Sequence, residues 1–340
     1  MKTNIISFIF LTISFIFTPY IMAKEINIYS HRQPFLINPF LELFTQETGI
    51  KTNVVYSKKG LAQRLKAEGE NSPADIILTV DIGRLYVYDD LDLLLPIESK
   101  KLINNIPSYL RSPDNSWFGL SKRARVIVVD NEKIKDGDIM TLEDLADSKW
   151  KGRIVIRSSS NMYNQSLVAS LIANLGEEKT ESWAKKLVSN FARTPQGNDR
   201  SQIIAVANGE ADIAIANSYY IGIMLSGAAG EEQLNAAKKV KMLFPNQDGR
   251  GAHINISGAG ILKNAPNPEN ANLFLEFLLS KKVQKSMVDN SFEYPILKGI
   301  LPSDEIASFG LNFKQDQTSV KDFGELNPAA VRLMDRSGWK

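Results

Sequence analysis

Tyr219 and Tyr220 are adjacent in the stretch "NSYYIG" (217–222), and a third tyrosine, Tyr163, lies in "RSSSNMYNQS" (157–166). A phenol ionises near pH 10, so clustered tyrosines are neutral in ordinary surroundings. A hard, highly charged cation reverses this, because coordination selects the deprotonated ligand and releases the proton. Phenolate is a hard oxygen donor suited to Fe(III), and three of them balance three positive charges. A further anion in such a shell needs a cation of its own, which Arg32 or Arg123 could supply. The same tyrosines have two plainer uses: half-buried packing, and stacking on sugars or amines in a binding cleft. Residue types alone leave all three open.

These side chains can act together only if the fold gathers them. Strands are predicted at 24–29, 75–80, 126–129, 153–156, 211–216 and 254–262. Helices are predicted at 39–48, 61–70, 82–89, 164–174, 178–190 and 200–208, with the longest at 269–289. Such alternation is the pattern of βαβ units and mostly parallel sheets. Two series of this kind, joined near 121–130 and 246–262, predict an α/β protein of two lobes with a ligand cleft between them. Ligands of open α/β sheets bind beyond the carboxyl ends of strands. Four such ends, at "YSHRQPF" (29–35), Asp81, Arg157–Ser166 and Asn217–Gly222, would bring Arg32, Tyr163, Tyr219 and Tyr220 to one cleft.

Ser218 is predicted to cap a helix and leave Tyr219 and Tyr220 in its first turn, where the helix dipole favours anions. Asp81 is expected to line the cleft or cap the helix at 82–89, and Asn198 or Asp199 to cap the helix after it. The two histidines, His31 and His253, read as hydrogen-bonding or packing residues, with His31 kept as a weaker cleft candidate. Tyr29 reads as packing at a strand end.

Composition narrows the class. Cysteine is absent, which excludes disulfides, thiolate metal sites and cysteine nucleophiles. Lys and Arg total 40 against 38 Asp and Glu with no basic block, so nucleic acid is not an expected partner. Lys2, the apolar run over 5–17 and "IMA" at 21–23 read as a secretory signal peptide, with the mature chain starting at Lys24 and lying in the periplasm. The apolar run is too short for a membrane anchor. Nucleophile elbow, HExxH and P-loop motifs are all missing, which leaves an exported enzyme as a poor third reading behind two kinds of binding protein.

Longer stretches carry a resemblance over nearly the whole mature chain. "YSHRQPFLINPFLELFTQETGI" (29–50), "WFGLSKRARVIVV" (117–129), "KWKGRIVIRSSSNMYNQSLVASLI" (149–172), "PQGNDR" (195–200), "NSYY" (217–220) and "FPNQDGRGAHINISG" (244–258) resemble the periplasmic ferric-iron-binding proteins of ABC transporters, within the transferrin-like, two-lobed solute-binding superfamily. The resemblance implies Fe(III) held by Tyr163, Tyr219 and Tyr220, with a synergistic anion such as carbonate met by Arg123 and Arg32. Some branches add histidine or tyrosine after the first strand; Gln33 and Pro34 stand there in this chain, which implies a shell of three tyrosines completed by carbonate, another anion or water. It further implies a signal peptide over 1–23, an N-terminal lobe at 24–122, a C-terminal lobe at 123–245, a return to the first lobe at 246–296, and a helical segment at 297–340 packing on the C-terminal lobe. The expected partners are an inner-membrane ABC permease and its ATPase subunit, and the expected state is a monomer. The alternative ligand is a small organic molecule: a sugar phosphate, a thiamine-like compound or a polyamine.

Overall fold

The computed structural model describes residues 25–310 and 312–340. The expected signal peptide and the start of the mature chain at Lys24 lie outside the described residues.

One strand organises the molecule. β4 (Phe118–Asp130) is buried along almost its whole length, as its apolar run Val126–Val129 requires. Its first half pairs antiparallel with β8 (Ile254–Ile261), Phe118 opposite Ala259 and Ala124 opposite Ile254, and with the short β9 (Tyr294–Pro295). Its second half pairs antiparallel with β6 (Ile213–Asn217) and β7 (Val240–Leu243), beginning with Arg125 opposite Asn217. β8 continues the first sheet to β3 (Ile76–Thr79), β1 (Glu25–Ser30) and β2 (Lys51–Tyr56), while β5 (Ile154–Val155) joins β6. The changeover between sheets falls between Ala124 and Arg125.

The result is two lobes, each an α/β layer structure. Parallel pairing holds where the pattern of alternating helix and strand operates, in β1 with β2 and β3 and in β5 with β6. The crossing strands β4 and β8 are antiparallel to their neighbours, because a chain that leaves one lobe and later returns must reverse its direction. Helices Pro34–Thr48 and Pro268–Leu278 cover the first sheet, with Phe44 and Phe274 meeting edge to face at 5.0 Å. The predicted helix at 269–289 is two helices, Pro268–Leu278 and Lys281–Ser291, because the Ser280 side chain caps the second by accepting from the Val283 N–H. Among the described residues no helix is long and apolar enough to cross a membrane.

The C-terminal segment does more than cover the second lobe. Helix Asn327–Arg336 packs on Met162–Leu175 and Glu177–Ser189, whereas helix Val320–Glu325 lies against both Met162–Leu175 and the first-lobe helix Ile82–Asp90. Gly324 permits that second contact: a Cβ there would lie 2.4 Å from the Cβ of Tyr86. Tyr86 can retreat from it only with its own backbone. Gly324→Ala should therefore lower stability by roughly 1–3 kcal/mol through overpacking, read as a lower midpoint in urea; an unchanged midpoint would show that the two helices are free to separate.

Candidate metal centre

Three phenols converge from two helix starts. Tyr163 is the second residue of Met162–Leu175, whose N-cap Asn161 accepts from the Tyr163 N–H at 3.1 Å. Tyr219 and Tyr220 are the second and third residues of Ser218–Leu225, which follows β6 without a loop. The Tyr219 hydroxyl lies 3.3 Å from that of Tyr163, and the rings of Tyr219 and Tyr220 have centroids 4.3 Å apart. Both helices direct their N-terminal dipoles at the cluster, which favours developing negative charge there.

Ser218 is not the cap that the sequence suggests. Asn217 occupies the N-cap position and no side chain closes it, because the Asn217 side chain accepts from Arg125 at 3.2 Å instead. Ser218 Oγ faces back and accepts from the Ala124 N–H at 3.3 Å. In the other predicted loop Asn198 is the cap, forming a capping box with Ser201.

Burial, reinforced by the neighbouring phenols, raises the Tyr219 pKa well above the usual value, and burial followed by Tyr163 and Asp199 raises that of Tyr220. Both are therefore protonated until something replaces the protons. Among the described residues no group of three or more His, Asp or Glu side chains is placed to hold a metal. The three tyrosines are the hard oxygen donors that this cleft brings together.

The cleft has a volume of about 690 Å³ and is walled by Arg32, Gln33, Phe35 and Arg84 of the first lobe and by Arg157, Arg200 and the three tyrosines of the second. Lys58 and Glu293 also line this cleft, and a contiguous recess of about 450 Å³ adds Lys59, with no Asp or Glu among the described residues that line the recess. Arg157 stacks over the Tyr163 ring with its guanidinium carbon 5.3 Å from the centroid, and its Nε, like that of Arg32, is buried without a hydrogen-bond partner. Lys58, Arg84, Arg157 and Arg200 were not singled out from sequence. Arg157 had the required signal, since it directly follows a predicted strand end.

The other predicted residues are distributed differently. Arg32 lines the cleft and pairs with Glu293 at 3.2 Å. Arg123 does not line it: the side chain is 1% exposed and donates to the Val80 carbonyl, to Asp81 at 3.2 Å and to Ser257 at 3.2 Å. Burial works against its charge, but Asp81 and Glu293 outweigh burial and raise its pKa. Its contact with the site is a stack 5.8 Å from the Tyr163 ring centroid. Asp81 caps its helix, accepting from the Gly83 N–H at 2.9 Å and from Ser166 at 2.9 Å, and is absent from the cleft wall. Gln33 is exposed at the mouth, at the N-cap of Pro34–Thr48, with Pro34 as the first helical residue.

His31 reaches the wall but both ring nitrogens are engaged. Nδ1 lies 2.7 Å from the Ser57 carbonyl and Nε2 2.7 Å from the Tyr88 hydroxyl. A carbonyl only accepts, so Nδ1 carries the proton and Nε2 accepts from Tyr88. Burial lowers the His31 pKa, in keeping with this neutral tautomer. His253 is buried far down the scale of basicity: burial, then Arg125, Arg123 and Arg250, push its pKa to about 3. Tyr29 donates to Glu68 at 2.7 Å, outside the cleft.

Two α/β lobes joined by crossing strands, with convergent polar side chains in the cleft, define a solute-binding protein. Residues 40–314 match the family described as bacterial extracellular solute-binding protein, and the chain belongs to that family. It is 50% identical over 93% of its length to iron uptake protein A1 of Synechocystis, covering 88% of that protein. It is 28% identical to the Fe(3+)-binding periplasmic protein of Serratia marcescens, covering 93% of this chain and 90% of that one. Among solved structures, a Trichodesmium protein in complex with iron and citrate ligands superposes with a TM-score of 0.89 at 50% identity, over 93% of this chain and all of that one.

His31→Ala should cost about 1–3 kcal/mol of stability, because it strands the buried Tyr88 hydroxyl and the Ser57 carbonyl. Ferric affinity, followed by visible absorbance, should stay within about twofold, well short of the ~10–100-fold that follows loss of an outer-shell partner. A larger loss of affinity would make the imidazole a ligand after all.

Proposed function

We propose that this protein is a periplasmic carrier that captures Fe(III) through the phenolates of Tyr163, Tyr219 and Tyr220 and delivers it, as a monomer, to an inner-membrane ABC permease energised by an ATPase subunit. The observation that carries this reading is the convergence of three tyrosines at two helix N-termini, with no group of three or more His, Asp or Glu placed to hold a metal among the described residues. Relatives named for iron uptake and for Fe(3+) binding support it. The cargo is bound and released, and no reaction is catalysed.

Charge sets the rest of the shell. Three phenolates neutralise Fe(III), yet Lys58, Arg84, Arg157 and Arg200 also face the cleft. An anionic co-ligand, carbonate or a small carboxylate, offsets them and fills the coordination positions that the tyrosines leave. Arg32 and Arg157, both on the cleft wall, are the guanidinium donors suited to it. The complex of the Trichodesmium relative with iron and citrate favours a carboxylate. Arg157→Ala should therefore weaken ferric binding and shift the preferred anion; equal ferric affinity of wild type and variant in both carbonate and citrate buffers would remove Arg157 from this role.

The phenols supply the decisive test. Tyr219→Phe and Tyr220→Phe keep the ring and remove the oxygen, so each should lose more than the ~10–100-fold typical of an outer-shell partner. Tyr163→Phe should follow. The pH sign is fixed by the raised pKa values of Tyr219 and Tyr220: the apo protein holds those protons at neutral pH, and each coordinated oxygen must release one. Affinity rises with pH and falls, on acidification, by up to about three decades per pH unit when all three phenols carry protons. Titration of apo protein with ferric citrate in weak buffer should release protons, after correction for iron hydrolysis, while a red-orange tyrosinate band grows. No band and no proton release would assign the cleft to a small organic ligand instead.

A further inference from the structure

Tyr163 and the Tyr219–Tyr220 pair come from helices on separate stretches of chain, and one buried side chain touches the residues beside both. Arg125, 1% exposed, extends from β4 immediately past the changeover between sheets. Its Nη2 donates to the Asn164 side-chain oxygen at 2.6 Å, and Asn164 directly follows Tyr163. Its Nη1 donates to the Asn217 side-chain oxygen at 3.2 Å, two residues before Tyr219, and to Asp199 at 2.8 Å. The same Asp199 oxygen accepts from the Asn217 N–H at 2.9 Å, and the other lies 3.4 Å from Arg157 Nη1. Asn164 in turn donates to the carbonyls of Arg157 at 2.9 Å and Ser158 at 3.2 Å. Each half of the tyrosine cluster is thus fastened to one branch of a single planar fork.

We propose that Arg125 is the positioning residue of the ferric site, holding Tyr163 and the Tyr219–Tyr220 pair in coordinating register before the metal arrives. This rests on the ferric reading of the cleft. Arginine suits the task because its guanidinium offers rigid, divergent donors, where a lysine ammonium is a point charge on a flexible stem. Three phenol oxygens share one ion only if their bases stay within fractions of an ångström of the bound geometry. The buried cation and Asp199 neutralise each other, so the fork stays in place in the empty protein.

The test uses Arg125→Lys, Arg125→Gln and Asn164→Ala, each in the full mature chain, with thermal unfolding, ferric affinity in competition with citrate, and the wavelength of the visible band measured on every variant. Arg125→Lys keeps a cation for Asp199 but cannot hold both asparagines. It should bind iron about 10–100-fold more weakly, as loss of an outer-shell partner does, with a shifted band. Asn164→Ala leaves the Arg125–Asp199 pair in place and should shift the band as well, which keeps the question decidable if the arginine variants do not fold. Wild-type affinity and band in Asn164→Ala, together with wild-type values in any folded arginine variant, would reduce Arg125 to a structural ion pair. A wild-type protein that develops no tyrosinate band overturns the ferric reading itself, and this inference with it.

Discussion

Two guanidinium groups are buried on one strand, and a buried charge is tolerable only when it is paired and hydrogen-bonded. Arg123 and Arg125 both face inward from β4 with 1% exposure. Their partners differ completely: Asp81, the Val80 carbonyl, Ser257 and Glu293 for the first, Asp199, Asn164 and Asn217 for the second. The two sets belong to the two sides of the sheet changeover. Meeting the electrostatic requirement of each arginine therefore draws one lobe onto β4 at Arg123 and the other at Arg125. The cleft lies between the structures so anchored.

The chemistry of the cleft follows from a second electrostatic conflict. Buried phenols resist ionisation, and a wall of basic side chains resists a bare trivalent cation. Under the proposed ferric reading each obstacle would lessen the other, since iron would displace the phenolic protons and an anion would answer the arginines. The helix dipoles of Met162–Leu175 and Ser218–Leu225 act in the same direction on the phenolates. On the same reading such a site would hold its cargo through charge balance among several partners, so reprotonation of the phenols or loss of the anion would offer a route to release.

The glycine at 324 and the C-terminal helices bear on motion as well as stability. Helix Val320–Glu325 touches helices of both lobes, and one of them, Met162–Leu175, carries Tyr163. Any hinge movement that changes the angle between the lobes has to slide or tilt this contact. Small, packed interfaces of this type favour a few discrete arrangements over continuous bending.

The amino-acid sequence by itself determined most of the elements and the candidate residues of the cleft. Apolar periodicity marks β3, β6 and most helices, and residues at strand ends are exposed to a cleft by the geometry of α/β sheets, which is why Tyr163, Tyr219 and Tyr220 were legible as a group. Arg123 and Arg125 are a different case. Two arginines spaced by two residues share one face of a strand, and nothing local distinguishes them. Only pairing with β8 on one side and β6 on the other decides that Arg123 bonds to Asp81, Val80 and Ser257 and that Arg125 bonds to the residues beside the tyrosines. The same holds for Ser218, whose capping role passes out of reach once Asn217 is drawn to Arg125, and for Lys58, Arg84 and Arg200, which become one basic wall only when segments far apart in the chain are folded together. Local pattern is written in short-range sterics and hydrophobic period; which charges meet is a property of long-range packing, and that was settled by the tertiary structure.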